Sequence, residues 1–392
     1  MAGVARFLDP PRLRTATAER YEERHATWLE LFVDLVFVVA IAELGTTFAH
    51  HVDLGGFLRY LGLFVPVWWA WAGFAFYATR FDTDDLVYRA LALLGMFCVA
   101  ALATTVPSAF EGRGNGFALA YAAIRVVIVL LYVRAWRHVR EARALAGWFI
   151  AMFGIAIVFW LVSLAVPSPG KYVLWAVALA FELAAPPRAW RLIRHAPIHP
   201  AHIPERFGLL TIIVLGEAVL AVVIGTVDVN WSVLSGTTAF AGFVAAAAIW
   251  WIYFEFFDTS VASSSVARGM TFVYAHYFVA AGIAALGVGV RVAIISAAPG
   301  NAYAHSGWVA AAGAGLYMFA LGVIQLVTPP TVFDVDVLLR FATAALGLVL
   351  VALTNVLSPI LVLWIVAAAL VAQVVVELFS HEEHRPEPAM SI

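Results

Sequence analysis

The chain has 392 residues, of which 64% are hydrophobic and only 12% are charged. A soluble domain averages roughly half apolar and about a quarter charged residues, so this composition excludes an ordinary water-soluble protein and predicts an integral membrane protein. The net charge of −2 argues against a nucleic-acid partner, and the single cysteine, Cys98, excludes disulfides within the chain.

Twelve segments are long and apolar enough to cross a bilayer, which takes about 20 mostly apolar residues in a helix. Residues 1–27 precede them and carry five arginines without a hydrophobic stretch, so they are predicted to be a cytoplasmic leader and not a signal peptide. The expected fold is all-α, with about twelve transmembrane helices. The predicted spans are residues 28–49, 56–79, 88–110, 117–135, 145–166, 171–190, 206–227, 233–257, 269–293, 305–327, 337–355 and 359–379.

The orientation of the spans follows from the distribution of arginine and lysine, because cytoplasmic loops carry an excess of both. With the N-terminus inside, the cytoplasmic segments contain 18 of these residues and the outer segments contain four. The remaining one, Arg125, lies within the fourth span. Both ends of the chain are therefore predicted to be cytoplasmic.

The two halves of the chain share short patterns in the same order. In each half Glu-X-Phe opens the first span, a Trp-Trp pair lies in the second, and Phe-Asp-Thr follows it. These patterns begin at Glu30, Trp68 and Phe81, and again at Glu205, Trp250 and Phe257. Six spans per half is an even number, so the halves form a parallel repeat. We expect six-helix repeats at 28–190 and 206–379, a linker at 191–205 and a tail at 380–392.

Acidic side chains inside the spans need an explanation, because a charge at mid-bilayer costs at least about 2.5–3.5 kcal/mol. Glu30 and Asp34 lie four residues apart on one face of the first helix, whereas Glu43 lies on its opposite face. Glu182 and Glu217 lie in the middle of the sixth and seventh spans. Removal from water favours the neutral form of a carboxyl group, so these acids are candidate proton- or cation-binding residues.

Basic residues offer partners for these acids. Arg125, in the middle of the fourth span, either pairs with Glu182 or Asp34 to lock the bundle or serves as a counter-ion or anion anchor. Arg206, at the start of the seventh span, is a second candidate anchor. Glu377 lies near the end of the twelfth span and is expected to reach water.

Tryptophan pairs lie in the middle of the second and eighth spans, although tryptophan usually marks the membrane interface. They either pack between helices or form an aromatic cage for an apolar or cationic ligand. Two polar residues in the ninth and tenth spans add to this set. The substrate-lining candidates are Trp68, Trp69, Trp250, Trp251, His276 and Gln325.

Two predicted cytoplasmic loops are charged at corresponding positions. Asp82 and Arg89 flank the loop between the second and third spans, and Asp258 and Arg268 flank its counterpart in the second half. Helix capping and ion pairs between loop and helix explain such loops, and a gating latch is the alternative.

Several chemistries have no signature in the sequence. There is no phosphate-binding G-x-x-x-x-G-K-[ST] loop and no H-E-x-x-H or G-x-S-x-G motif. The histidines of the linker stand among prolines that exclude a regular helix, so a metal site is not expected there. We expect neither a metal nor a cofactor.

Residues 27–44, TWLELFVDLVFVVAIAEL, resemble the opening span of the bacterial low temperature requirement A family. Residues 205–217, ERFGLLTIIVLGE, resemble the second hallmark of that family, and the resemblance covers essentially all twelve spans. It implies a multispanning protein of the bacterial inner membrane, named for growth in the cold, and supplies no activity, substrate or cofactor. The motif positions are Glu30, Asp34, Glu43, Arg206, Glu217 and His276.

The acids near mid-membrane favour a secondary transporter that is coupled to protons or cations. The predicted substrate is a small solute, and in one version of this hypothesis the solute is lipophilic. Its partners would be membrane lipids and this solute or ion. The alternative is a membrane-embedded lipid-modifying enzyme or a lipid-binding envelope stress protein. An enzyme is expected to gather its acids and histidines at one membrane face.

The Glu217→Gln variant tests the transport hypothesis at the seventh span. We expect it to insert and fold but to lose proton-dependent flux in liposomes, because an amide cannot carry a proton in place of the carboxyl group. Unchanged flux, measured with an internal pH dye, would remove Glu217 from the mechanism.

Overall fold

Twelve long helices account for most of the described chain in a computed structural model. The structure describes residues 10–13, 26–82, 84–112, 114–193, 202–257, 265–298, 306–328 and 335–383. The long helices are α1 Trp28–Ala49, α2 Leu54–Arg80, α3 Leu86–Thr105, α4 Asn115–His138, α5 Arg143–Val162, α6 Gly170–Arg188, α7 His202–Val227, α8 Val233–Glu255, α9 Val266–Ser296, α10 Trp308–Val327, α11 Val335–Ala352 and α12 Pro359–Glu383.

Eleven of these helices, within the described ranges, are long and apolar enough to cross a membrane, which confirms the all-α membrane fold. The helix that differs is α6, the sixth predicted span. It carries Lys171, Glu182 and Arg188 in only 19 residues, and these charges lower its mean hydropathy. Lys171 and Glu182 are buried, so both turn into the protein. The orientation inferred from arginine placement stays a prediction.

Polar residues at the helix starts satisfy backbone N–H groups that have no partner within the helix. At α1 the Thr27 hydroxyl accepts from the backbone N–H of Glu30 at 3.3 Å, and the Glu30 carboxylate accepts from the N–H of Thr27 at 2.8 Å. This reciprocal capping box fixes where α1 begins. Asp53 caps α2 by accepting from the N–H of Gly56 at 2.7 Å.

A short antiparallel ribbon joins the leader to the end of α2. Its strands are β1 Arg12–Leu13 and β2 Phe81–Asp82, with Arg12 opposite Asp82 and Leu13 opposite Phe81. Hydropathy does not predict this element, because two residues per strand are too few for a periodic pattern.

The chain divides into two compact units. The first comprises residues 1–213 and 262–273, and the second comprises 214–261 and 274–392. The divisions fall inside α7 and α9, so the first part of each helix belongs to the first unit. Compactness does not test a repeat, and the repeats at 28–190 and 206–379 stay a prediction.

Each unit is held together by contacts between neighbouring helices. In the first unit α1 packs against α2 and α3, and α4 packs against α2, α3 and α5. In the same unit α5 also packs against α6. In the second unit α12 packs against α8, α10 and α11, and α10 packs against α11.

Glycines allow α9 and α10 to approach closely within the second unit. A Cβ atom at Gly289 would lie 2.3 Å from the backbone N of Ala310. One at Gly313 would lie 2.4 Å from the backbone N of Leu286. Small residues at such crossings bring backbones into contact, which is a main source of helix association in lipid.

The Gly289→Ala variant is expected to be destabilised by about 1–3 kcal/mol, because the added methyl group overlaps backbone and not a mobile side chain. Thermal unfolding in detergent measures the effect. Gly154→Ala in α5 is the matched control, since a Cβ there meets nothing within 4 Å. Equal melting temperatures for the two variants would contradict the close crossing.

Candidate functional site

Buried charges meet in the first unit where α1 and α7 begin. Asp34 is fully buried, and its Oδ1 accepts hydrogen bonds from Trp71 Nε1 and Arg206 Nη2, both at 2.7 Å. Arg206 is buried as well, and its Nη1 lies 4.0 Å from Glu30 Oε2. Glu30, Asp34, Trp71 and Arg206 are referred to below as the motif cluster.

The surrounding helices explain why these side chains converge. Glu30 and Asp34 lie one turn apart on α1, and Arg206 is in the second turn of α7. The next residue, Phe207, packs edge-on against Trp71 with ring centroids 4.9 Å apart. On its other side Phe207 contacts Phe272 of α9, at 5.4 Å. These rings exclude water, and the low local dielectric strengthens the hydrogen bonds to Asp34.

The motif cluster contains two carboxylates and a single guanidinium. If all three groups are ionised, the cluster carries one uncompensated negative charge. Asp34 Oδ2 has no hydrogen-bond partner among the described residues, and the same holds for Arg206 Nε and Nη1. A buried charge without compensation costs free energy, and binding of a proton or a small cation would neutralise the cluster. Asp34 Oδ2 is the atom that could accept it.

A His–Glu pair lies at the same helix start. His202 Nδ1 is 3.0 Å from Glu205 Oε2. Glu205 Oε1 accepts from the backbone N–H of Ala26 at 2.9 Å, which ties the segment before α1 to α7. No group of three or more potential metal ligands occurs in the described part of the chain.

A second buried ion pair lies in the interior of α4 and α6. Arg125 Nη2 is 2.6 Å from Glu182 Oε2, and neither side chain is exposed. The Tyr121 hydroxyl donates to Glu182 Oε2 at 2.7 Å and accepts from Arg125 Nε at 2.9 Å. The partner of Arg125 is therefore Glu182 and not Asp34. One acid and one base make this pair neutral, as expected of a structural lock.

The second unit contains a third buried pair. Arg340 Nη2 lies 3.2 Å from Glu377 Oε1, and the amide of Gln373 donates to the same oxygen. The expectation that Glu377 reaches water is wrong, since it is fully buried. The reason is that α12 continues to Glu383, which leaves Glu377 inside the helix and not at its end.

Other polar candidates have fewer contacts. Glu43 and Glu217 are half-buried, and neither has a hydrogen bond or an ion pair to a described residue. Gln325 is also half-buried, and its Oε1 has no described partner. His276 is buried, with its Nε2 2.9 Å from the Tyr253 hydroxyl.

The tryptophan pairs occupy different environments. Trp68 and Trp69 are buried in the first unit, with ring centroids 5.6 Å apart. Trp250 and Trp251 are 43% and 42% exposed on α8, which suits contact with lipid. The two pairs match in sequence but do not have equivalent surroundings.

The charged loops show capping and local ion pairs. Asp85 caps α3 by accepting from the N–H of Tyr88 at 3.2 Å, and it also binds Arg134 of α4 at 2.6 Å. Arg89 pairs with Asp84 at an exposed site. The gating-loop candidates Asp258 and the side chain of Asp82 lie outside the described residues, and Arg268 is half-buried at the start of α9.

Several residues of these sites were not singled out by the sequence. Tyr121 precedes Arg125 by four residues, and this spacing on one helix face is a signal that could have revealed it. Trp71 and Asp34 are 37 residues apart, and so are Arg340 and Glu377. Such distant pairings leave no periodic trace in a single sequence.

The family model of the bacterial low temperature requirement A protein (LtrA) matches residues 25–375. The chain belongs to this family. A curated relative from Rhizobium meliloti (strain 1021), described as the uncharacterized protein RA0937, is 32% identical over 247 residues. The match spans about 60% of each of the two chains.

The two sequences that carry the LtrA resemblance meet in the motif cluster. Residues 27–44 supply Glu30 and Asp34, and residues 205–217 supply Arg206. The motifs are separated by more than 150 residues, so their contact is a property of the fold. A buried ion pair therefore joins the two hallmark segments of this LtrA protein.

A double-mutant cycle at Arg125 and Glu182 measures the buried lock. Each of Arg125→Gln and Glu182→Gln is expected to lower stability by about 3–5 kcal/mol, because it leaves the opposite charge buried alone. The double variant removes both charges and is expected to be more stable than either single variant. Denaturant or thermal unfolding in detergent reports this, and additive losses would contradict the coupling.

Proposed function

We propose that this LtrA-family protein is a secondary transporter of the bacterial inner membrane, coupled to protons or another monovalent cation, and that the motif cluster binds the coupling ion. One observation carries the proposal. A single guanidinium faces two buried carboxylates, and Asp34 Oδ2 has no partner among the described residues. The cluster thus needs one more positive charge to become neutral.

The geometry supports a two-state element that responds to this charge. Protonation of Asp34 removes its negative charge and weakens its pair with Arg206, while Glu30 lies 4.0 Å from the same guanidinium. Because the two acids are one turn apart on α1, Arg206 would shift by about 6 Å along that helix as it changes partner. Proton binding would thereby move α7 relative to α1 within the first unit, as coupling requires.

The proposed substrate is a small solute, with a lipophilic one favoured. Trp68 and Trp69 lie on the same helix as Trp71, the residue that binds Asp34. Their buried ring faces suit an apolar or cationic solute close to the coupling ion. The family name links the proposed transport to growth at low temperature.

A membrane-embedded lipid-modifying enzyme is the second candidate, and one observation favours it. The His202–Glu205 pair lies at the start of α7, next in sequence to Arg206 of the motif cluster. A histidine oriented by a carboxylate is a common general base. Acids and a histidine thus gather at one end of the helices, as such an enzyme would require.

Proton flux in liposomes tests the proposal through the Asp34→Asn variant. The amide keeps the side-chain volume and the hydrogen bond from Trp71 but cannot take up the coupling charge. We expect proton-coupled flux to fall at least about tenfold, equivalent to about 1.4 kcal/mol. Purified protein is reconstituted with an internal pH dye and screened against pools of lipophilic amines, acids and lipids.

The matched control is Glu255→Gln, which removes an exposed acid of α8 and is expected to leave flux unchanged. Undiminished flux in Asp34→Asn would exclude the motif cluster from coupling. If the wild-type protein moved no protons with any pool but altered a lipid, the enzyme would replace the transporter as the proposed function.

A further inference from the structure

The chain's one lysine, Lys171, is buried at the start of α6 without an acidic partner. It is 6% exposed, and its Nζ donates a hydrogen bond to the side-chain oxygen of Asn115, the first residue of α4. Within the described ranges, no ion pair or second hydrogen bond joins Lys171 Nζ to another residue. An ammonium group has three N–H donors, so two of them are left for another group.

Asn115 is held in the orientation that binds Lys171. Its Nδ2 donates to the backbone oxygen of Leu164 at 3.3 Å, in the short 3₁₀ turn Ser163–Ala165 that follows α5. This second hydrogen bond directs the amide oxygen towards Lys171. An amide is neutral, so Asn115 fixes the position of the ammonium group without balancing its charge. Lys171 and Asn115 are referred to below as the Lys171 site.

The acids closest to the Lys171 site along the chain do not balance its charge. Glu182 lies eleven residues further along α6, about 16 Å away along the helix axis, and is paired with Arg125. Glu111 precedes Asn115 by four residues, is exposed, and forms no ion pair with a described residue. The helix itself adds to the imbalance, because α6 begins without a side-chain cap and a helix N-terminus carries a partial positive charge.

We propose that the Lys171 site binds the carboxylate of the transported solute, and that this solute is a small lipophilic acid. A buried cation costs free energy, and a carboxylate carries the one negative charge that balances it. Its two oxygens would accept the free N–H donors of the ammonium group. The inference rests on the proposed function and narrows its lipophilic solute to an acid.

Aromatic rings at the start of α6 suit the apolar part of such an acid. Trp175 lies four residues after Lys171, on the same face of the helix, and its ring centroid is 5.3 Å from that of Tyr172. The ring of Phe110 packs against Tyr172 at 5.0 Å. Tyr172 and Phe110 are only half-buried, so part of this aromatic surface is accessible. A cation beside an accessible aromatic surface fits a ligand with a carboxylate at one end and an apolar body.

Equilibrium binding of benzoate tests the site without any transport. Benzoate is the probe for a lipophilic acid, and benzamide is a neutral analogue of nearly the same shape. Isothermal titration calorimetry of the full-length protein in phosphatidylcholine nanodiscs at neutral pH measures both. We expect saturable benzoate binding and at least about tenfold weaker binding of benzamide, because only the carboxylate balances the ammonium charge. Equal affinities, or no binding of benzoate, would overturn the proposal.

Substitutions of Lys171 separate the charge from the shape of the site. Lys171→Met removes the charge and keeps an apolar chain of similar length, so it is expected to fold and to bind benzoate at least about tenfold more weakly. Lys171→Arg keeps the charge and is expected to retain binding. The matched control is Arg59→Gln, at an exposed cation of α2 in a predicted outer segment, which should bind benzoate like the wild type. Unchanged affinity in Lys171→Met would reject the site.

Competition and flux measurements identify the anion and its role. Chloride or inorganic phosphate that displaced benzoate at equal concentration would show an inorganic-anion site and reject the carboxylic acid. Loss of proton flux in Asp34→Asn, with no benzoate binding to the wild type, would reject this inference and leave the proposed function standing. Binding of benzoate that depends on Lys171, without proton flux in any pool, would support the acid-binding site and reject proton-coupled transport.

Discussion

The cost of placing charge in lipid is the constraint on which the rest of this structure depends. A membrane offers no water to solvate Asp34, Glu182 or Glu377, so each must find its compensation inside the protein. All three do so by binding an arginine from another helix. These ion pairs connect α1 to α7, α4 to α6, and α11 to α12. The hydrophobic effect does not drive these helices together, because lipid tails are as apolar as leucine.

Two of the buried arginines, Arg125 and Arg206, differ in charge balance, and this difference carries the functional argument. Arg125 faces one acid, whereas Arg206 lies near two. A balanced pair holds its helices together at any moderate pH. In the proposed transport cycle, the extra carboxylate of the motif cluster takes up a proton more readily than a balanced pair does, and this proton would change the position of the helices. The LtrA motifs supply this unbalanced cluster.

The sequence predicted the spans far better than the contacts between them. Each predicted span corresponds to a helix, because twenty consecutive apolar residues are a local signal that no tertiary contact overrides. The polar residues were found for the same reason, as Asp34, Arg125 and Arg206 stand out against an apolar background. Which of these residues pair with one another was harder to predict from the sequence. Arg125 had two possible partners, and only the tertiary structure selected Glu182. Glu377 was misplaced because the true end of α12 lies beyond its apolar run.

By itself, the sequence determined the membrane environment, the helix positions and the LtrA membership of this protein, since each follows from composition or from contiguous motifs. The tertiary structure alone decided that Asp34 meets Arg206, that Trp68 is buried while Trp250 faces outward, and that Glu377 lies inside the second unit. The physical reason is the same throughout. Hydropathy records how favourable a segment is in lipid, whereas a hydrogen bond depends on the rotation and packing of two helices that are distant in the chain.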